Sequence, residues 1–197
     1  MDGGAPLWQH PPVDYFCVDV ESSGPIPGIH NLLSVGMTHV RRFEGRYQPL
    51  EDVYVELQPV FPGFEDAAMA VNKLDPARLE SEGLAPDRAM QVLVDFVNAH
   101  HKTKKKDRPV FVAHNAPFDW MFFVYYCGHF EVENPFGHSA LDTKALAMGK
   151  LGMSWNETSL RNVRTKVGVE SIDLDKLHHA GEDARYLGRV FSAMMNL

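Results

Sequence analysis

The stretch FCVDVESSG, residues 16 to 24, constrains this chain more than any other. Its aromatic and β-branched residues predict a strand from Asp14 to Val20. Side chains alternate across a strand, so Val18 and Val20 share one face while Asp19 and Glu21 share the other. Ionised groups at the end of a buried strand are costly unless something positive compensates them. An Asp-X-Glu pair so spaced makes a claw for a hard cation, although a solvated strand edge explains it better when it is read alone.

The rest of the chain supplies a sheet for that strand to join. LLSVGMTHV, 32 to 40, and DVYVELQPV, 52 to 60, read as strands joined in a hairpin through the Gly-bearing RRFEGRYQ. FPGFEDAAMAVNKLDPARLE reads as loop and short helices, punctuated by Pro62 and Pro76. APDRAMQVLVDFVNAHH is an amphipathic helix with Pro86 at its entrance and Met90, Leu93, Val94 and Val97 on one face. PVFVAH, 109 to 114, predicts a short buried strand. NAPFDWMFFVYYCGHF follows as a helix with Pro117 in its first turn, and HSALD is a last strand. Helices are expected over 143 to 150, 156 to 167 and 180 to 195. Strands first, then strands alternating with helices, define an α/β chain with a mixed sheet.

With 197 residues, 45% of them hydrophobic, one core is expected, in a single domain over 13 to 197. Residues 1 to 12, with five Gly or Pro, are expected to form a loose leader. Cys17 and Cys127 lie in apolar surroundings and point to no disulfide framework. No basic-then-apolar leader and no apolar run of bilayer length are present, so a reducing, cytoplasmic setting without a membrane is expected.

Two further segments place acids where a sheet-bound site would need them. Asp119, in HNAPFDW, falls near the start of the helix that follows the short buried strand. The helix macrodipole accounts for an acid there, but that turn also lies at the carboxyl edge of the sheet, where α/β proteins bind ligands. Asp183, in LHHAGEDARYLGRVF, shares a helical stripe with Leu187, Val190, Phe191 and Met194, which puts a carboxylate on a buried face. His178 precedes it by five residues, with His179 adjacent.

DVESSG, HNAPFDW and HHAGED, in this order, resemble the three exonuclease motifs of the DEDDh 3′–5′ exonucleases. That superfamily includes ribonuclease T, oligoribonuclease and polymerase proofreading subunits. The likeness spans about Asp14 to Met195, and NPFGHSALDTKALAM, 134 to 148, is most similar to ribonuclease T. The resemblance implies an RNase H-like fold: a five-stranded mixed sheet flanked by helices on both faces. It carries over Asp19, Glu21, Asp119 and Asp183 as metal ligands. It carries over His178 as general base, because the family sets its His five residues before the last Asp. His179 then has a structural or solvent role, and its presence excludes the sister group with Tyr at that place.

Four oxygen donors without a thiolate suit Mg²⁺ or Mn²⁺, and the resemblance implies two such ions clamping the attacking and leaving oxygens of a phosphodiester. The implied reaction is hydrolysis at single-stranded RNA or DNA 3′ ends, RNA favoured, releasing nucleoside 5′-monophosphates. Ser22, Ser23 and Gly24 are expected at the terminal nucleotide, against the alternative of a plain turn. Phe118 is expected to stack on a base, against packing on Phe122. Val71 stands where a stacking aromatic is expected, while Asn115 and Asp142 read as helix caps. HKTKKKDR, 101 to 108, is either a solvated loop or a phosphate track. The net charge of −7 does not exclude nucleic acid, because total charge says little about local patches. The ribonuclease T likeness further implies a homodimer. A repair or proofreading DNA exonuclease and a catalytically silent nucleic-acid-binding adaptor are the competing readings, and the full set of acids with His178 speaks against the adaptor.

Overall fold

A computed structural model of the chain describes residues 13–101, 108–171 and 179–197. The expected leader, positions 102 to 107 of the basic run, and His178 lie outside the described residues.

Five strands form one sheet: β1 (Tyr15–Ser22), β2 (Leu32–Phe43), β3 (Arg46–Glu56), β4 (Val110–Ala113) and β5 (Ala140–Asp142). Their spatial order is β3-β2-β1-β4-β5. β2 runs antiparallel to β1 and β3, while β4 is parallel to β1 and β5 to β4. The β2–β3 hairpin turns tightly at Glu44 and Gly45, both at positive φ, with Phe43 paired to Arg46. So short a turn forces the residues beside it to pair, so β3 starts at Arg46 rather than at 52. The strand also stops at Glu56, short of 60, ahead of Pro59, which has no N–H to give to a ladder.

The helices are α1 (Asp66–Asn72), α2 (Pro76–Glu82), α3 (Pro86–His100), α4 (Ala116–His129), α5 (Thr143–Leu151), α6 (Leu160–Lys166) and α7 (Ala180–Met195). The helix expected over 156 to 167 is split into a 3₁₀ turn, Trp155–Glu157, and α6. The break falls at Ser159, whose hydroxyl accepts the N–H of Asn162 at 3.3 Å and starts α6 afresh.

Strand alternation decides what covers each face. Phe16, Val18 and Val20 point into a core shared with Met90, Leu93 and Val97 of α3 and Phe122, Phe123 and Tyr126 of α4. Cys17 points the other way, against Leu187 and Phe191 of α7. α5 and α6 extend that second layer through Ala147 and Val163, which pack on Val190 and Met194. The mixed sheet with helices on both faces is thus the architecture expected from the sequence. Both cysteines are free and buried, and burial pushes the Cys127 thiol up to about 12, so neither is a ready nucleophile. Among the described residues no helix is long and apolar enough to cross a membrane.

Candidate active site

Asp19 and Glu21 leave β1 on the α7 face, opposite Val18 and Val20. What brings Asp183 to them is a glycine. Gly36 of β2 pairs with Asp19, and a Cβ built on Gly36 would lie 2.0 Å from the Ala180 carbonyl oxygen and 2.6 Å from the Gly181 nitrogen. Only a residue without a side chain lets the first turn of α7 rest on the sheet at that point. Asp183, in that turn, then joins the strand acids: one ligand oxygen from each of Asp19, Glu21 and Asp183 lies within 4.8 Å of the others.

Asp119 approaches from the other layer, near enough for its charge to act on Asp19 and Glu21 but outside the group of three whose oxygens lie within 4.8 Å. α4 starts directly after β4, with Pro117 in its first turn. The N–H of Val20 donates to Asp119 Oδ1 at 3.1 Å. The β1–β4 pairing ends at Cys17 and Val112, so this N–H lies beyond the ladder and the carboxylate takes it. Asp119 is therefore tied to the strand residue that stands between Asp19 and Glu21.

The electrostatics are those of a site short of positive charge. Burial, then the charges of Asp119, Asp183 and Glu21, holds the Asp19 carboxyl well above its ordinary range. Burial, then the charges of Asp183 and Asp119, pushes Glu21 up to about 8. Asp119 is also pushed up to about 8, chiefly by burial, although N–H donors from its own backbone and Val20 oppose this. Among the described residues no basic side chain compensates Asp19, Glu21 or Asp119. Gathered, half-sheltered carboxylate oxygens, with no basic side chain among the described residues beside the strand pair, fit a hard divalent cation.

The remaining predicted residues have defined places. The Ser22 hydroxyl donates to the Gly24 carbonyl at 2.8 Å. The Ser23 hydroxyl donates to Gly63 O at 2.6 Å and accepts the Asn31 N–H at 2.7 Å. Gly24 packs on the His30 ring, where a Cβ would come within 2.3 Å. These bonds make a built turn of the segment after β1. Phe118 is half-buried, with its ring 5.3 Å from that of Phe122, so it packs on the core and keeps an exposed part beside Asp119. His179 occupies the N-cap of α7, where its Nδ1 accepts the Glu182 N–H at 3.4 Å and its ring stacks on Tyr54 at 4.3 Å. Val71 is exposed.

The two expected caps part company. Asp142 does cap α5, accepting the Lys144 N–H at 2.9 Å. Asn115 stands at the N-cap of α4 but makes no side-chain cap bond, contrary to the sequence reading. Its backbone is left-handed, φ 71°, and its N–H donates instead to Asp142 Oδ1 at 3.1 Å, which ties the start of α4 to β5. Sequence reasoning also missed Gly36, whose signal was a glycine inside a strand pattern. It missed Asn72 too, which is buried and donates to the Ser22 carbonyl at 3.0 Å, binding α1 to the end of β1.

Comparison with known proteins fits this geometry. The chain is 36% identical over 178 residues to the 3′-5′ DNA exonuclease Cap18 of Escherichia coli, covering 90% of this chain and 89% of that one. It is 28% identical to ribonuclease T of Pectobacterium atrosepticum, covering 91% and 80% of the two chains. Its fold matches the nuclease domain of 3′hExo, a DEDDh family member solved with rAMP, at a TM-score of 0.74 and 11% identity, over 92% and 91%. No protein-family model matches the chain. The chain belongs to the DEDDh 3′–5′ exonucleases, with the RNase H-like fold of that family. It is a hydrolytic nuclease of a metal-dependent family.

Proposed function

We propose that this enzyme trims the 3′ end of a single strand by metal-dependent hydrolysis and releases nucleoside 5′-monophosphates, through one exonuclease domain over residues 13 to 197. In this reading Asp19, Glu21, Asp119 and Asp183 hold two Mg²⁺ or Mn²⁺ ions. The observation that carries it is the convergence of the Asp19, Glu21 and Asp183 oxygens within 4.8 Å, with no basic side chain among the described residues to compensate the strand pair. Bound ions of this kind stabilise charge on the phosphoryl oxygens and lower the pKa of a coordinated water.

The chain's own groups then position and move protons. Two ligands on one strand, with Asp119 tied to the peptide between them, hold the donor set before substrate arrives. His178 takes the proton of the attacking water, a role supported by its five-residue spacing from Asp183. The commitment of His179 to capping α7 supports that choice. Ser22, Ser23 and Gly24 border the terminal nucleotide, and the exposed part of Phe118 supports its base. A homodimer and a cytoplasmic setting follow from the ribonuclease T likeness and the free thiols respectively.

The sequence reading favours RNA, whereas the higher identity to a relative named a DNA exonuclease favours DNA, and we take DNA as the better substrate. Single-turnover assays on 5′-labelled single-stranded DNA and RNA of one sequence test all of this. DNA should shorten faster from its 3′ end, EDTA should stop it, Mg²⁺ or Mn²⁺ should restore it, and Ca²⁺ should support little turnover. Faster loss of RNA would return the preference to RNA, and full activity in chelator would end the metal scheme. No cleavage with any ion would favour the silent adaptor.

A further inference from the structure

On the other face of the sheet, three side chains converge without a reaction to explain them. His39 of β2 pairs with Phe16 and stacks on its ring at 5.0 Å, on the side covered by α3. Its Nε2 lies 2.9 Å from Asp14 Oδ1. A carboxylate only accepts, so this nitrogen carries the hydrogen, and neutral His39 keeps its lone pair on Nδ1. Nδ1 is buried and has no hydrogen-bond partner, yet it faces Glu51 Oε2 at 3.7 Å.

His100, at the end of α3, repeats the pattern. Its Nδ1 donates to the Phe96 carbonyl at 2.8 Å, which leaves the lone pair on Nε2, and Nε2 faces the same Glu51 oxygen at 3.8 Å. With both rings neutral, two lone pairs and one anionic oxygen point at each other, a repulsion that a proton on a ring or a metal ion among the three would relieve. Metal-bound histidines commonly donate their other N–H to a carboxylate or a carbonyl, as both of these do.

We propose that His39, Glu51 and His100 form a second metal site, for a transition-metal dication of the zinc class, on the sheet face opposite the carboxylate cluster. The His₂Glu donor set suits zinc better than magnesium, because imidazole is a softer donor than water or carboxylate. A four-coordinate ion with bonds near 2.0–2.1 Å sets neighbouring donors about 3.4 Å apart and two imidazole centroids about 5 Å apart. Here the N···O separations are 3.7 and 3.8 Å and the centroids stand 5.5 Å apart. Unlike those of the Asp19 cluster, the three donors do not all lie within 4.8 Å of one another, so the two imidazole nitrogens must draw together on the ion. The closing movement falls to Glu51 and His100, 61% and 25% exposed, while His39 at 4% is already fixed. Arg41 lies on Asp14 at 3.4 Å and offsets that carboxylate rather than Glu51. The ion would tie β2, β3 and the end of α3 together.

Co²⁺ titration of the full-length protein tests the site, because four-coordinate cobalt absorbs visible light far more strongly than six-coordinate cobalt among carboxylates. The wild-type protein and Asp19→Asn should both develop the strong bands and retain Zn²⁺ on dialysis. Glu51→Gln and His100→Gln, both at the surface, should lose the bands and bind Zn²⁺ at least tenfold more weakly. Absence of the bands from the wild-type protein, or their survival in both variants, would overturn the proposal and leave Glu51 paired with protonated histidines only.

Discussion

One sheltered aspartate, Asp14, stands just before β1 and another, Asp19, lies within it, and the two have opposite fates. Asp14 is fully buried, yet its carboxyl is held below the ordinary range. Burial pushes it up, but His39 and His101 at 2.9 and 3.0 Å, with Arg41 nearby, outweigh that effect. Asp19 has other acids for neighbours and is pushed well above its range. The first is an acid that the fold itself satisfies. The second is one that the fold leaves to an outside charge, and that difference separates a structural carboxylate from a functional one.

The same substitution at both positions should therefore act with opposite sign. Asp19→Asn removes an acid whose ionisation the folded site opposes and should raise the melting temperature of the metal-free protein while lowering kcat by roughly 10²–10³-fold, the scale of losing one transition-state electrostatic group. Asp14→Asn should cost about 2 kcal/mol of stability, as expected for charged hydrogen bonds, and leave turnover per folded molecule intact. Thermal melts with and without EDTA, alongside single-turnover rates, read both effects. Destabilisation by both variants would erase the contrast.

The pH dependence of stability sharpens the same point. Glu21 holds its proton to about 8 in the folded chain against 4.5 ordinarily, and Asp119 to about 8 against 3.8. Between roughly pH 4 and 8 the folded state binds more protons than the unfolded one, so stability falls as pH rises and levels off above that window. Metal-free protein should thus melt several degrees lower at pH 8 than at pH 5. Saturating Mg²⁺ should flatten the slope, because it binds the ionised site of the folded state alone. A metal-free slope of the opposite sign would mean that the acids are compensated from within the chain.

A smaller effect separates the neighbouring histidines. His179→Ala should cost about 1 kcal/mol through the lost cap of α7 and keep most turnover. His178→Ala should lose turnover by about 10²-fold or more with little change in melting temperature. The reverse pattern would transfer the base to His179.

Much of the site was legible because local periods encode it. A period of two puts Asp19 and Glu21 on one face of β1, and a helical period puts Asp183 in line with Leu187, Val190 and Phe191. The order of the three motifs then identified the family. The same reading erred at Asn115, because its cap depended on Asp142, twenty-seven residues away.

Local order in the chain fixes which acids exist and on which face of which element they stand. Long-range packing alone has Asp119 bond to Val20, lets α7 settle on the sheet at Gly36, and brings His39, Glu51 and His100 together. The physical reason is range. Alternation and helical pitch act over a few residues, whereas these contacts join segments brought together by packing, and no period written in the chain records them.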